Sequence, residues 1–256
     1  GEMACGEYGE GRMSSPRQIL SYLKNYFNNK DTVKKEKISA VVTSGPTKEY
    51  IDPVRYISNE SSGKQGYEIA LALAKLGVKT TLITGASKFD PCKGLKIKEV
   101  ISAEEMMREV KKNLPVDIVV CAAAVSDFKP KKTNKNKVKK NNKNSMTLEL
   151  IKNQDILNFL GKSNKLRPKI VVGFSAETEN LVNNSIKKLE EKHCDIIIAN
   201  DVSKKDTGFN SDYNEVLIIQ KNGKIEKLKK SKKTFIASVV AEKIMNKFLF
   251  DKKNIN

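Results

Sequence analysis

The segment ISAVVTSGPTKEYIDPVRYISNESSGKQGYEIALALAKLG, residues 38–77, holds the two patterns from which the architecture is read. Its first part, "ISAVVTS" (38–44), is a short apolar, β-branched run of the kind that forms a buried strand. Its last part, "GYEIALALAKLG" (66–77), repeats apolar side chains at helical spacing and stops at a glycine. Between them lies "YISNESSGKQG" (56–66), with an amide, hydroxyls, two glycines and a lysine. A plain turn needs far less polar equipment.

The same alternation continues outward. Upstream, "PRQILSYLKNYF" (16–27) places Ile19, Leu20, Leu23, Tyr26 and Phe27 on one helical face, with Ser15 as N-cap and Pro16 opening the helix. A charged, Asn-rich stretch ending at residue 37 reads as a linker. Downstream come the strand "VKTTLITG" (78–85), the helix "AEEMMREVKKN" (103–113) and the strand "VDIVVCAAAV" (116–125). That helix carries acids in its first turn and bases in its last, as the helix dipole favours. Then follow "MTLELI" (146–151), a short helix near 154–160 and the strand "KIVVGFS" (169–175). The helix "ETENLVNNSIKKLEEKH" (177–193) and the strand "CDIIIAND" (194–201) come next. "EVLIIQ" and "KIEKLK" flank "KNGK" as a hairpin, and a final helix covers about 232–248. The pattern predicts an α/β fold: a Rossmann-like, doubly wound, mostly parallel sheet with an antiparallel hairpin addition near the C-terminus.

Ligands of such sheets bind outside the carboxyl ends of the strands. Here those ends are "TSGPT", "TGAS", "AAAVSD", "GFSAET" and "ANDVS", all small and polar as close backbone approach requires. Gly, Ser, Thr and Asp also serve as ordinary caps, so one such loop says little; all of them together point to a ligand crevice.

Composition sets the outer limits. The chain has 256 residues, 39% hydrophobic and 30% charged, enough for one large or two small domains. No apolar run approaches the roughly 18 residues of a membrane span, and the N-terminus lacks a signal pattern, so a cytoplasmic protein is expected. Four scattered cysteines and a single histidine, His193, argue for reduced thiols and against a zinc site. The net charge of +18 favours anionic partners. Its densest run, "KPKKTNKNKVKKNNKN" (129–144), lacks the interleaved Arg and aromatics of nucleic-acid modules, which argues against nucleic acid.

The polar loop fails the common phosphate-loop patterns. Ser58 stands where a P-loop needs its first glycine, and Gln65 where it needs a hydroxyl. No GxGxxG follows the first strand, and no acid ends the second. What survives is general: Ser61, Ser62 and Gly63 precede a helix amino end, where free N–H groups favour an anion. Asp127 lies just beyond a buried strand, a capping position or a hydrogen-bond acceptor for a ligand. Lys188 and Lys192 share a helix face, which solvated lysines also do.

"TSGPTKEYIDPVRYISNESSGKQG" (43–66), "AAAVSDF" (122–128), "KVKK" (137–140), "KNQDIL" (152–157), "VGFSAETE" (172–179) and "ANDVSKKDTGFNSDYNEV" (199–216) occur in the order of one family. Together they closely resemble bacterial phosphopantothenate–cysteine ligase (phosphopantothenoylcysteine synthetase) of coenzyme A biosynthesis, over roughly residues 37–250. "MACGEYGEGRM" (3–13) resembles the C-terminal clamp of phosphopantothenoylcysteine decarboxylase, with Cys5 matching its catalytic cysteine. The resemblance divides the chain into a decarboxylase remnant (1–30), a linker (31–37), the ligase domain (38–250) and a tail (251–256). FMN would belong only to the missing decarboxylase module.

The resemblance implies a reaction. CTP, with Mg²⁺ or Mn²⁺, activates the carboxylate of 4′-phosphopantothenate as an acyl cytidylate and releases pyrophosphate; L-cysteine then displaces CMP. It also implies a homodimer. Matched residue by residue, Asn59 belongs to the acyl-cytidylate step, Arg55 is a planar anion contact and Lys137 is the first lysine of a mobile lid. Ser61, Gly63 and Gly66 match nucleotide contacts. Ala123, Ala124 and Asp127 match the loop that meets nucleotide and intermediate. Gln154, Asp155, Ile156, Leu157, Phe174, Lys188, Lys192 and Asn200 complete the nucleotide set. Gln154 replaces a common proline and Ser175 a frequent alanine. CTP is taken over ATP because the motifs are of the bacterial type. No metal ligand is assigned. A nucleotide-sugar or NAD(P)-binding Rossmann enzyme is the alternative, and a basic nucleic-acid module the third.

Overall fold

The computed structural model describes residues 15–16, 19–20, 38–85, 87–90, 92–139, 145–162, 165–203 and 211–253. The chain divides into two units, Gly1–Lys37 and Ile38–Asn256. In the first, Pro16, Ile19 and Leu20 are helical, and the Ile19 N–H donates to the Ser15 carbonyl at 3.0 Å, as a helix opening at Pro16 requires. Cys5, the rest of the decarboxylase-like segment and the linker lie outside the described residues.

The second unit is built on β1 (Ser39–Ser44), β4 (Lys79–Thr84), β5 (Leu95–Glu99), β6 (Ile118–Cys121), β9 (Ile170–Glu177), β10 (Ile196–Asp201), β11 (Tyr213–Gln220) and β12 (Ile225–Lys232). They form one eight-stranded sheet in the order β12-β11-β10-β9-β6-β1-β4-β5. From β5 to β10 all neighbours are parallel, and β11 and β12 add on antiparallel. This is the doubly wound sheet with a hairpin addition that the sequence predicts.

The central strands are apolar at every position because both faces are covered. Ala40, Val42, Ile118, Val120, Ile170, Val172, Ile196 and Ile198 point into one core with helices α1 (Lys64–Lys75) and α5 (Lys233–Lys253). The alternate positions Val41, Val119, Val171 and Ile197 point into the other. There they meet α2 (Ala103–Lys112), α3 (Ile156–Lys162) and α4 (Leu181–Glu191). Each fully buried Val or Ile contributes about 1.5–3 kcal/mol of apolar transfer energy, and the two layers together fix the register.

Several details depart from the sequence pattern. β6 stops at Cys121, so Ala122–Val125 are loop rather than strand. β9 runs on to Glu177 and α4 begins only at Leu181, because Asn180 adopts a left-handed conformation (φ 48°) at its N-cap. α5 extends to Lys253. Two short hairpins have no period-two signal long enough to read: β2 (Lys48–Tyr50) with β3 (Tyr56–Ser58), and β7 (Phe128–Pro130) with β8 (Leu150–Lys152). β5 was likewise not foreseen, its alternating "LKIKE" being short and mostly charged.

Candidate functional site

The strand order reverses direction between β1 and β6, and the loops leaving these two strands part there. Main chain stitches them together: the Ala122 N–H donates to the Thr43 carbonyl at 3.1 Å, and the Ala124 N–H to that of Gly45 at 3.0 Å. The Ser126 N–H donates to Thr47 Oγ1 at 3.0 Å. The result is a floor of small residues and backbone.

Helix α1 stands directly on this floor. Gly63, its N-cap, has φ 71°, and a Cβ there would sit 2.9 Å from the Gly45 backbone. A Cβ on Gly66 would lie 2.6 Å from Ser44 Oγ, so only glycine lets the first turn approach β1 this closely. The Ser44 hydroxyl donates to the Gly63 carbonyl. The first turn of α1 contains no acid, and its amino end borders the crevice; there the Gly63 and Lys64 N–H groups donate to Ser61 Oγ and Ser62 Oγ at 3.2 and 3.4 Å.

Asn59 follows β3 at the rim. Ser58 Oγ donates to the Thr47 carbonyl at 2.7 Å, and Asn59 Nδ2 donates to the Val125 carbonyl at 3.0 Å. The side chain therefore ties the rim of the β1 loop to that of the β6 loop.

The crevice has two neighbouring lobes. The larger, about 580 Å³, is bounded by Asn59, Ser61, Gly63 and Gly66 on one side and by Ala123, Ala124, Asp127, Phe174, Lys188 and Asn200 on the other. The smaller, about 160 Å³, lies against Gln154, Asp155, Ile156, Leu157, Lys188 and Lys192. Ala123, Asp127, Phe174 and Lys188 border both. The two lobes are thus adjacent, and together they gather nearly all the residues singled out in the sequence.

In the smaller lobe Lys192 is ion-paired with Asp155 at 2.8 Å. Burial opposes ionisation of Asp155, but the Asn158 N–H and the Lys192 ammonium outweigh it and hold its pKa low. The same bond to Asp155 raises the pKa of Lys192. Cys121 also borders this lobe, and burial pushes its thiol far up; the Cys194 thiol is pushed up to about 12 for the same reason. Neither is a thiolate at neutral pH.

Two expected residues are elsewhere. Arg55 lines neither lobe. Its Nε donates to Asp52 Oδ2 at 2.9 Å and its Nη2 to the Val138 carbonyl at 2.7 Å. Asp52, fully buried, accepts the Val138 N–H at 3.1 Å. The Arg55 guanidinium holds the Asp52 carboxyl far below the usual carboxylate range, against the effect of its burial. Thr133 Oγ1 and the Asn134 N–H donate to the Tyr50 and Ile51 carbonyls. The lysine-rich strap 131–139 is thereby pinned to the β2–β3 turn. Lys137, on this strap, is exposed and lines neither lobe.

Sequence reasoning missed Gln65, Asn214 and Lys233, which border the larger lobe. One signal was available for Asn214: in β11 it occupies the same inward phase as Val216 and Ile218, where an apolar residue is expected. Lys233 is hidden among neighbouring lysines. Among the described residues no cluster of His, Cys, Asp and Glu is arranged to hold a metal, and no helix is long and apolar enough to cross a membrane.

Residues 35–248 match the model of the DNA/pantothenate metabolism flavoprotein C-terminal domain. The chain is 41% identical over 243 residues to the coenzyme A biosynthesis bifunctional protein CoaBC of Haemophilus influenzae, covering 94% of this chain and 60% of that protein. Its identity to the CoaBC protein of Borreliella burgdorferi is 39% over 242 residues, again 94% of this chain and 60% of the relative. The chain thus spans about 60% of the length of these curated relatives. A crystal structure of the C-terminal domain of a CoaBC protein superposes with a TM-score of 0.69 at 33% identity, over 84% of this chain and 96% of that one. With its sheet, its crevice at the strand-order reversal and this match along most of its length, the chain belongs to the DNA/pantothenate metabolism flavoprotein C-terminal domain family.

Proposed function

We propose that this crevice joins 4′-phosphopantothenate to L-cysteine at the expense of CTP. The observation that carries the reading is the adjacency of the two lobes, which share Ala123, Asp127, Phe174 and Lys188, beside the α1 amino end and Asn59, in a chain of this family. The nucleotide base and ribose fit the smaller lobe, between Gln154–Leu157, Phe174, Lys188 and Lys192. The α-phosphate then meets the α1 amino end, where Ser61, Gly63 and Gly66 keep the main chain accessible. The substrate carboxylate approaches from the larger lobe. Its oxygen attacks the α-phosphorus and pyrophosphate departs, leaving an acyl cytidylate. The cysteine amine attacks the acyl carbon and CMP leaves.

The protein's part is positioning and charge neutralisation rather than covalent catalysis. Asn59 offers amide donors to the acyl phosphate, and the Ala123 and Ala124 backbone and Asp127 orient it. Lys137, carried by the strap, joins the phosphates when the strap leaves its latch. Mg²⁺ enters as a companion of the triphosphate. The high thiol pKa values of Cys121 and Cys194 agree with a route that uses no protein nucleophile. The protein acts as a cytoplasmic homodimer in this reading.

Purified protein is expected to release pyrophosphate with phosphopantothenate, CTP and Mg²⁺, and to form the amide once cysteine is added. ATP in place of CTP should support little turnover. Absence of CTP-dependent turnover at every Mg²⁺ concentration would overturn the proposal.

A further inference from the structure

The short strand β2 carries a glutamate at its buried position. Glu49, the central residue of Lys48–Tyr50, is 4% exposed, where an apolar side chain would pack without the cost of burying a charge. Its carboxylate reaches outside the hairpin. Glu49 Oε1 accepts the N–H of Ala103, the first residue of α2, at 2.9 Å. Beside it the Lys48 N–H donates to the Ile101 carbonyl at 2.8 Å, just before the same helix. The local cap of α2 serves other groups: Ser102 Oγ accepts the Glu105 N–H at 3.2 Å, and Glu105 Oε2 accepts the Ile101 N–H at 2.7 Å. Glu49 thus brings to α2 an acceptor from a distant part of the chain, and the field of the helix amino end favours its negative charge.

This bond holds the end of the hairpin that leads to Asn59. In the antiparallel register Glu49 faces Ile57 and Lys48 faces Ser58, the residue before Asn59. The bonds from the lysine-rich strap lie at the opposite, turn end, at Tyr50 and Ile51. A hairpin of three-residue strands is not stable alone in water, so it takes its position from what it is fastened to. The bond from Asn59 Nδ2 to the Val125 carbonyl is exposed, and water competes for it. An apolar residue at position 49 would supply burial; the carboxylate adds direction, because its oxygen has to meet one particular N–H.

We propose that Glu49 is a positioning residue: it seats the β2–β3 hairpin on the amino end of α2 and so sets where the Asn59 amide stands at the rim of the crevice. Glu49 itself lines neither lobe. The part Asn59 takes in the acyl-phosphate step rests on the ligase reading above; its placement by Glu49 does not.

The bond can be cut from either side. Glu49→Leu removes the acceptor and keeps an apolar side chain in its place. Ala103→Pro removes the donor and leaves the helix intact, because proline suits the first helical position. Ser102 already has the extended backbone (φ −102°, ψ 164°) that a following proline requires. Both variants are expected to lose about 10- to 100-fold in the kcat of pyrophosphate release, with the Kd for CTP within about twofold, as for a reacting group misplaced by about an ångström. Glu49→Gln keeps the acceptor and should retain most of the kcat, the reverse of the order that apolar packing alone would give. In ¹⁵N spectra of the full chain without substrates, the Asn59 side-chain amide should shift in Glu49→Leu and Ala103→Pro and stay near its wild-type position in Glu49→Gln. That readout needs no turnover, so it stands apart from failure of the ligase reading. Should one of the two cut variants fail to fold, the other still removes the same bond. An unmoved Asn59 amide, or wild-type kcat, in a folded cut variant would overturn the assignment. An equal loss of CTP affinity and turnover would mean a crevice loosened throughout, and would overturn it as well.

Discussion

Asn59 shows what a single residue contributes at this site. One of its amide hydrogens is used on the Val125 carbonyl, which fixes the side chain across the two loops. Replacing it by aspartate removes that donor and sets a negative charge beside the position proposed for the acyl phosphate. Asn59→Asp is expected to bind CTP within a few-fold of wild type but to lose about 100-fold or more in turnover, the scale of a missing donor to a developing oxyanion. Fluorescence titration with CTP beside a pyrophosphate-release assay separates the two effects; full activity would remove Asn59 from the mechanism.

Between elements, the strap 131–139 and the β2–β3 turn form the unit that matters. Asp52 is the buried centre of their contact and binds Arg55 and the Val138 N–H together. Its folded pKa lies below that of the unfolded chain, so its contribution is present above the ordinary carboxylate pKa of about 3.9. That contribution is lost only as the pH falls through the lower folded value. A ¹³C titration of the Asp52 carboxyl should therefore show it still ionised at pH near 3.9, where a free aspartate is half protonated. Asp52→Asn should release the strap: trypsin is expected to cut after Lys131–Lys139 several times faster in the variant at neutral pH, with the rest of the digestion pattern retained. Equal cleavage rates would show that the latch does not hold the strap.

For the whole molecule, the two core layers carry stability and the crevice carries chemistry, on different parts of the same sheet. Ile244 of α5 is fully buried in the layer shared with α1. Ile244→Ala should lower the unfolding free energy by about 2–5 kcal/mol in a denaturant titration. The KM values should change little, because Ile244 borders neither lobe. This separation explains what could be read in advance. Val41, Val120, Ile197 and their neighbours announce themselves because burial on both faces leaves continuous β-branched runs. The crevice was legible through its loops, since backbone approach demands Gly, Ala and Ser after each strand. Lys233 was not, because nothing local distinguishes it from the lysines around it; only the packing of α5 beside α1 buries it. Arg55 carried an ambiguous signal, as an arginine in a polar loop reads equally well as a ligand contact or as the partner of a distant carbonyl. The three-residue strands of both small hairpins depend on pairings that no short stretch of sequence specifies.

The floor made by Gly45, Ala122, Ala123 and Ala124 has a consequence for inhibition. A compound resting there would touch mostly main chain, whose amides and carbonyls no point substitution can replace. Enlarging Gly63 or Gly66, which bring α1 down onto this floor, would collide with β1 or its loop before it reached the compound. Escape from such an inhibitor would have to arise at the two ends of the crevice, around Lys192 or Lys233, where side chains make the contacts and where a change would also weaken the hold on the natural substrates. Resistance and fitness would then be set against each other by the geometry of the sheet itself.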